Sequence, residues 1–437
     1  MTVFIILFLS GTTFAASEEE YEGFETKTPL LSAESDDQAD GALSRSSNEQ
    51  LTNRRKVLAR DADLESVAEE DVVAPRGEPR LVVMAAGASV REDEGGQEGT
   101  RTAADLIQAE SGSISTTGCE PVIGISYRDS TPCTAEVAQP PKEAPNVVFI
   151  VLDDVGFGQI GCFGGPIDTP NIDRLAVGGL RYNNFHTTAM CSPTRACLLT
   201  GRNHHSVGVG AVIELPAGYP GYSMTLSKNA ATLPEILLES GFNTFAVGKW
   251  HLSDHLNAAG PFDNWPTGRG FEKYYGFIGS ETNQWYPDLV SGTTRVDPPK
   301  TPEEGYHISE DLVDRAIGFI KSQQAAEPGH PYFLYLSFGA CHAPHHAPKE
   351  QIDMYKGRFD QGWDEVRNET LARQKAMGIV PEDAELPPRN PDIPAWVDLS
   401  EDQQRVFARE QEVYSGFLTR PDAQIGGFWA ISKLWGT

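Results

Sequence analysis

Three nearly continuous runs of apolar residues stand out in the pattern of hydrophobic and polar positions along the chain. They cover residues 146–152, 243–247 and 332–338, and β-branched, leucine and aromatic residues dominate them. Runs of this length without polar alternation are typical of strands that are covered on both faces. Each run therefore predicts a buried strand.

Amphipathic helical patterns lie beside these runs. Before the second run, Thr232 and Glu235 have the spacing of a capping box, and Gly241 is placed to end the helix. Before the third run, apolar residues at helical spacing follow Ser309, which we predict as the N-cap. Strands that alternate with helices predict an α/β fold with a mainly parallel sheet and helices on both faces.

The first 141 residues have a different pattern. Residues 1–16 contain a short apolar run followed by small residues, as in a secretory signal peptide, but they lack a basic start. Residues 17–141 are acidic and poor in aromatic side chains, so we expect a largely disordered extension whose last part, 123–141, leads into the folded domain. We expect a secreted protein or one of the secretory pathway, with the cytoplasm as the alternative. No other apolar run is long enough to span a bilayer.

The net negative charge of the chain argues against polyanionic partners. Its 437 residues carry a formal net charge of -27. A surface of this sign repels phosphate groups, which argues against nucleic acid or an anionic membrane as a partner. An anionic substrate would therefore have to be attracted locally by arginine, lysine or a metal ion.

Charged and polar side chains follow each predicted strand at its carboxyl end. Asp153 and Asp154 follow the first strand, Lys249 and His251 follow the second, and His342 follows the third. The carboxyl ends of parallel strands lie at one edge of a sheet, where α/β proteins bind their ligands. We therefore expect these side chains to lie near one another in one site.

A cysteine and an arginine lie four residues apart at the predicted start of another helix. Pro193 suits the first helical turn, which places Cys191 at the positive end of the helix dipole and Arg195 about one turn later. The sulfur and the guanidinium could then contact one tetrahedral anion. The alternative is an ordinary buried cysteine beside a helix start.

Taken together, these motifs resemble those of a known family. The segments 191–201 and 248–252 and the acidic pair 153–154 are similar to the type I, formylglycine-dependent sulfatases of the alkaline phosphatase superfamily. Residues 341–348 and 355–360 are more specifically similar to the bacterial-type arylsulfatases.

The resemblance implies a domain organisation and an activity. It covers about residues 123–427 and implies a partial sulfatase catalytic domain at 142–427, with an unrelated tail at 428–437. The implied fold is that of alkaline phosphatases and sulfatases, incomplete at its carboxyl end. The implied enzyme is a sulfuric ester hydrolase that acts on a small-molecule or carbohydrate sulfate ester.

The resemblance makes Cys191 the precursor of the nucleophile. A separate formylglycine-generating enzyme would oxidise it to formylglycine, whose hydrated aldehyde attacks sulfur. A divalent cation, with Ca²⁺ favoured over Mg²⁺, would be bound by Asp153, Asp154 and the modified Cys191.

The resemblance implies roles toward the sulfate ester for four further residues: Arg195, Lys249, His251 and His342. The arginine would steady the aldehyde hydrate, the lysine would bind sulfate oxygens, and the first histidine would hydrogen-bond the hydrate. His342 would be the general acid for the leaving alcohol. Three of them have alternatives: the lysine could be solvated, His251 could be a satisfied core histidine, and His345 or His346 could replace His342.

Part of the family's metal site has no counterpart in the sequence. The resemblance requires an Asp-Asn-Gly after a later strand and a second sulfate-binding lysine, for which the pair 263–264 in a proline-flanked loop is a poor substitute. We therefore expect a chain truncated at its carboxyl end, with weak metal binding and low or no activity. Two other interpretations stay open: a phosphonate or phosphate ester hydrolase of the same superfamily, and a catalytically inactive, sulfatase-like binding protein.

Overall fold

The computed structural model describes these parts of the chain: residues 4–6, 81–84, 122–132, 138–142 and 144–434. The chain divides into two compact units, and all of these residues belong to the unit formed by residues 1–14 and 77–437. Most of the predicted signal peptide and of the predicted acidic extension lies outside the described residues. Their boundaries stay predictions.

Two β-sheets are present among the described residues. Their strands, in chain order, are β1 (Phe4–Ile6), β2 (Leu81–Met84), β3 (Val147–Val151), β4 (Gly179–Tyr182), β5 (Asn243–Lys249), β6 (Lys273–Phe277), β7 (Leu289–Ser291), β8 (Thr294–Val296) and β9 (Tyr332–Ser337). The smaller sheet has the order β1-β2-β4 with parallel pairs, and the larger has the order β3-β9-β5-β6-β7-β8. In the larger sheet, the first four strands are parallel and β7 and β8 add an antiparallel hairpin. The prediction of a mainly parallel sheet is confirmed.

The three predicted strands are the adjacent strands β3, β9 and β5. Val147 of β3 lies opposite Phe333 of β9, and β5 pairs with the other side of β9. Neighbouring residues of β3 face opposite sides of the sheet, because Phe149 packs in one hydrophobic cluster and Ile150 in the other. Burial on both faces explains why these strands are nearly uninterrupted apolar runs.

Helices cover both faces of the larger sheet. In chain order they are α1 (Pro170–Val177), α2 (Cys191–Thr200), α3 (Leu233–Glu239), α4 (Ile308–Ala326), α5 (Lys349–Asp353), α6 (Gly362–Ala376) and α7 (Glu401–Leu434). Leu199 of α2 packs in the cluster that contains Phe149. Leu312 of α4 and Phe417 of α7 pack in the cluster on the other face, which confirms the predicted layers. Within the described part of the chain, no helix is both long and apolar enough to cross a membrane.

The predicted N-cap is confirmed for α3 and is wrong for α4. At α3, Thr232 Oγ1 accepts a hydrogen bond from the Glu235 N–H, and the Glu235 carboxylate accepts one from the Thr232 N–H, so the predicted capping box is present. The predicted N-cap Ser309 is wrong, because α4 begins at Ile308 and is capped by His307. The Nδ1 atom of His307 accepts a hydrogen bond from the Ser309 N–H at 3.2 Å, in place of a serine oxygen.

The long helix α7 is tied to the start of α1. The buried carboxylate of Asp422 accepts hydrogen bonds from the backbone N–H groups of Asn171 (3.3 Å) and Ile172 (2.9 Å), at a helix start that has no side-chain cap of its own. Helix α7 is continuous across position 428, where the sequence predicts an unrelated tail, and Phe428 is buried. The predicted tail and the predicted limits 142–427 of the catalytic domain stay predictions.

Candidate active site

The structure brings five of the predicted site residues together at the carboxyl edge of the larger sheet. Asp153 follows β3, Lys249 and His251 lie at the end of β5, and Cys191 and Arg195 lie on α2. Three of them, Asp153, Cys191 and Arg195, line a small cavity of ≈ 10 Å³, whose other lining residues are Val151, Leu152, Thr194 and Leu198. A space of this size holds about one water molecule.

The first turn of α2 has the form that the sequence predicts. Cys191 is the first helical residue, Pro193 lies in the first turn, and the N-cap Met190 provides no side-chain cap. The positive end of the helix dipole therefore lies at Cys191. The cysteine is buried, and burial raises the pKa of its thiol. An unmodified Cys191 is thus a neutral thiol near pH 7, which is a poor nucleophile.

Asp153 and Lys249 form a buried ion pair, with Arg195 as a second cation. The Lys249 Nζ atom contacts Asp153 Oδ2, and Arg195 Nη2 lies 3.5 Å from Asp153 Oδ1. Burial alone would raise the pKa of Asp153, but the two cations outweigh it and hold the pKa below its usual value. The alternative of a solvated Lys249 is wrong, since its side chain is fully buried.

Arg195 is anchored by the sheet. The two N–H groups of its Nη1 are shared among three acceptors on β5 and β9: Lys249 O (3.0 Å), Tyr335 OH (3.1 Å) and Ser337 Oγ (2.6 Å). Its Nε atom is buried and has no hydrogen-bond partner among the described residues. The guanidinium is therefore held in place by its contacts with the sheet.

His251 links the cysteine to a carboxylate that the sequence did not single out. Its Nδ1 lies 3.0 Å from Cys191 Sγ, and its Nε2 lies 3.0 Å from both carboxylate oxygens of Glu214. The backbone φ of His251 is +54°, which residues other than glycine adopt rarely. Burial, reinforced by the charge of Lys249, lowers the pKa of His251 to about 4, so the ring is neutral near pH 7. Both ring nitrogens have polar partners, which a satisfied core histidine would also have, so the role of His251 stays a prediction.

His342 lies at the open rim of the site, beside Asp154. Its Nε2 is 3.8 Å from Asp154 Oδ2. The two alternatives form no ion contact with Asp154 within 4 Å: His345 packs against aromatic rings of α7, and His346 accepts a hydrogen bond from the backbone between β6 and β7. Of the three histidines, His342 is therefore the one directed at Asp154. Its role as the general acid stays a prediction.

Comparison with known proteins decides the family. The Sulfatase family model matches residues 145–431, which is more than half of the chain. The chain belongs to the sulfatase family. It is 34% identical over 305 residues to an arylsulfatase of Klebsiella aerogenes, with 68% of this chain and 64% of the relative covered. It is also 34% identical over 309 residues to an uncharacterized sulfatase of Schizosaccharomyces pombe, with 66% of this chain and 54% of the relative covered.

This member of the sulfatase family therefore spans 64% and 54% of the length of these two relatives. In fold it is similar to the solved structure of the sulfatase yidJ from Bacteroides fragilis, with a TM-score of 0.50 at 23% identity over 68% of this chain and 60% of that one. The predicted membership in the alkaline phosphatase superfamily and the predicted α/β fold are confirmed.

Sulfatases generally use formylglycine and a divalent metal ion, so the described residues should offer ligands for such an ion. In the described part of the chain, no group of three or more His, Cys, Asp or Glu side chains could hold a metal ion. The predicted ligands Asp153, Asp154 and Cys191 are not assembled, because Asp153 faces two cationic side chains and the Cys191 sulfur faces an imidazole. The described residues alone therefore do not fit a divalent cation, which prefers six or more oxygen ligands.

Proposed function

We propose that this chain is a sulfuric ester hydrolase of the arylsulfatase type, with residue 191 as its nucleophile. The observation that carries the proposal is the contact between Cys191 and His251 at the positive end of α2, beside the buried pair of Asp153 and Lys249. A nucleophile, a base and cationic charge are thus gathered as the transfer of an anionic group requires. The proposed substrate is a sulfate ester of a small molecule or of a carbohydrate.

Cys191 is proposed to act after its conversion to formylglycine by a separate formylglycine-generating enzyme. Formylglycine supplies a hydrated aldehyde, whose hydroxyl is the nucleophile toward sulfur. Support comes from burial of the thiol, which raises its pKa and keeps the unmodified sulfur in its less reactive, protonated form. His251 does not offset this effect, since its pKa of about 4 leaves it without positive charge near pH 7.

Three basic side chains are proposed to act on the nucleophile or on the ester. Arg195, held by the sheet, keeps positive charge beside residue 191. Lys249 is proposed to bind sulfate oxygens, for which its ammonium would have to leave its contact with Asp153. His342, whose side chain is 23% exposed at the rim, is placed to protonate the leaving alcohol.

The divalent cation that the family resemblance implies, Ca²⁺ or Mg²⁺, would be bound by Asp153 and Asp154. We assign no catalytic step to it, because the described residues alone do not fit it. For the same reason we expect slow turnover.

The test is hydrolysis of para-nitrophenyl sulfate by protein that is co-expressed with a formylglycine-generating enzyme. Mass spectrometry of the peptide that contains Cys191 reports the conversion. We expect slow release of the phenol by the wild type and none by Cys191→Ala, whereas the matched control Cys197→Ala, on the same helix, keeps the rate. Equal rates for the wild type and Cys191→Ala would overturn the proposal, and so would faster hydrolysis of a matched aryl phosphonate.

A further inference from the structure

In the site, the carboxylate of Glu214 contacts the imidazole of His251, which in turn contacts residue 191, the proposed nucleophile. Both carboxylate oxygens of Glu214 lie 3.0 Å from His251 Nε2, and His251 Nδ1 lies 3.0 Å from Cys191 Sγ. Glu214 belongs to the connection between α2 and α3, 37 residues before His251 in the chain. Its side chain is 41% exposed whereas the histidine is buried, so the carboxylate meets the ring from the solvent side.

The carboxylate decides which ring nitrogen carries the proton. An ionised carboxylate only accepts hydrogen bonds, so Nε2 of His251 must donate to Glu214. Burial alone would raise the pKa of Glu214, but the hydrogen bond from His251 and the other polar contacts of the carboxylate together outweigh burial and lower the pKa, which keeps the carboxylate ionised. A neutral imidazole carries a single N–H, and the contact with Glu214 places that proton on Nε2. Nδ1 is then left with its lone pair directed at residue 191.

We propose that Glu214 is a positioning residue that holds His251 in the Nε2–H tautomer, so that Nδ1 can accept a proton from residue 191. This inference deepens the proposed function and rests on it for its catalytic meaning. In the transfer, the O–H bond at residue 191 breaks and the Nδ1–H bond forms. The positive charge that the ring gains is stabilised by the Glu214 carboxylate, which keeps its own charge. The opposite tautomer would present an N–H to residue 191 and could accept no proton there.

A purely structural role does not explain this contact. The backbone at the end of β5 is already fixed, since the His251 N–H donates to Ile278 O at 3.0 Å and the Trp250 N–H donates to Phe277 O at 3.0 Å. The Glu214 carboxylate is 41% exposed, so its hydrogen bond to the ring also contributes little to stability. What Glu214 adds is therefore the orientation and the protonation of the ring.

The tautomer can be measured on protein with an unconverted Cys191, by long-range proton–nitrogen NMR of histidine-labelled samples. We expect the wild type to carry the His251 proton on Nε2. Glu214→Met, which removes both acceptor oxygens, should shift the ring nitrogen signals toward a mixture of tautomers, whereas Glu214→Gln keeps one acceptor and should retain the wild-type form. The matched control is Glu327→Met, which removes an exposed carboxylate 3.3 Å from His330 Nδ1 near the opposite end of β9 and should leave His251 unchanged.

Two NMR outcomes would overturn the inference: a proton on Nδ1 in the wild type, or His251 signals in Glu214→Met that equal those of the wild type. After conversion of residue 191, Glu214→Met should lower kcat about 10- to 100-fold with KM unchanged within about twofold, and Glu214→Gln should restore part of the rate. An unchanged kcat in Glu214→Met would also overturn it. If the wild type hydrolyses no aryl sulfate, the proposed function fails, while the NMR measurement still decides the tautomer.

Discussion

Replacing Lys249 by methionine should reveal how much the fold depends on the ion pair in the site. The Lys249 and Asp153 side chains are buried, with 0% and 2% of their surface exposed. Breaking a buried pair from one side leaves an uncompensated charge and costs about 3–5 kcal/mol. Because Arg195 remains 3.5 Å from the carboxylate, we expect Lys249→Met to lie at the low end, with a loss of about 3 kcal/mol in the free energy of unfolding.

Two further variants, Asp153→Asn and the double variant Lys249→Met/Asp153→Asn, separate the energy of the ion pair from the cost of leaving one partner alone. Asp153→Asn leaves the Lys249 ammonium buried without its carboxylate and should also cost about 3 kcal/mol. The double variant has neither charge, and neutral side chains of similar size often replace a buried ion pair at little cost. We expect it to lose about 1 kcal/mol, which corresponds to a coupling of about 5 kcal/mol between the two positions.

Urea unfolding followed by tryptophan fluorescence measures these free energies. Circular dichroism serves as a second probe and should give the same transition. Lys228→Met is the matched control, because Lys228 and Asp263 form an ion pair at 3.9 Å with more than half of each side chain exposed. This control should lose less than about 1 kcal/mol. A similarly small loss in Lys249→Met, or losses that simply add in the double variant, would refute the argument from burial.

Three further predictions concern stability and metal binding. Burial lowers the pKa of His307 from 6.5 to about 4, so the unfolded chain binds a proton first and stability falls as the pH falls from 6.5 toward 4. His307→Asn keeps an N-cap and should reduce the loss of unfolding free energy between pH 6.5 and pH 5 by about 1.5 kcal/mol in urea titrations, and an unchanged loss would contradict this. Asp422→Ala removes the acceptor that lies 2.9 Å from the Ile172 N–H and should lower the free energy of unfolding by about 2 kcal/mol. The loss should appear as a lower midpoint of thermal unfolding. Asp422→Asn keeps an acceptor and should lose less. Calorimetric titration with CaCl₂ should show no site tighter than about 10⁻⁴ M, because Asp153 is held by two cationic side chains, and micromolar binding would contradict this.

The central strands and the edge that carries the site could be predicted because burial constrains every residue of those strands. β3 packs Phe149 on one face and Ile150 on the other, so its positions must all be apolar. Polar residues then stand out where a strand leaves the core, as Asp153 and Lys249 do. The hairpin of β7 and β8 was not predicted, because the exposed positions 294–295 carry no such constraint.

Contacts between a loop and the site could not be predicted. Glu214 lies in a connection without helical or strand periodicity, 37 residues from His251, so nothing in the spacing relates the two. The N-cap of α4 is a smaller case of the same kind. Ser309 has a side chain that is common at N-caps, yet His307 reaches the Ser309 N–H from two residues earlier. Propensity ranks residues for such a position, whereas tertiary packing decides which residue fills it.

The backbone conformation at the strand ends is the part of the site that depends on distant packing. Asp154 and His251 follow β3 and β5, and their φ angles of +53° and +54° are costly for residues other than glycine. The surroundings must hold both conformations. His251 is held through its N–H bond to Ile278 O, and the Asp154 carbonyl accepts a 2.7 Å hydrogen bond from the Tyr414 hydroxyl on α7. Because Asp422 docks the same helix on α1, the conformation that aims Asp154 at the site depends on packing that no motif at the strand end encodes.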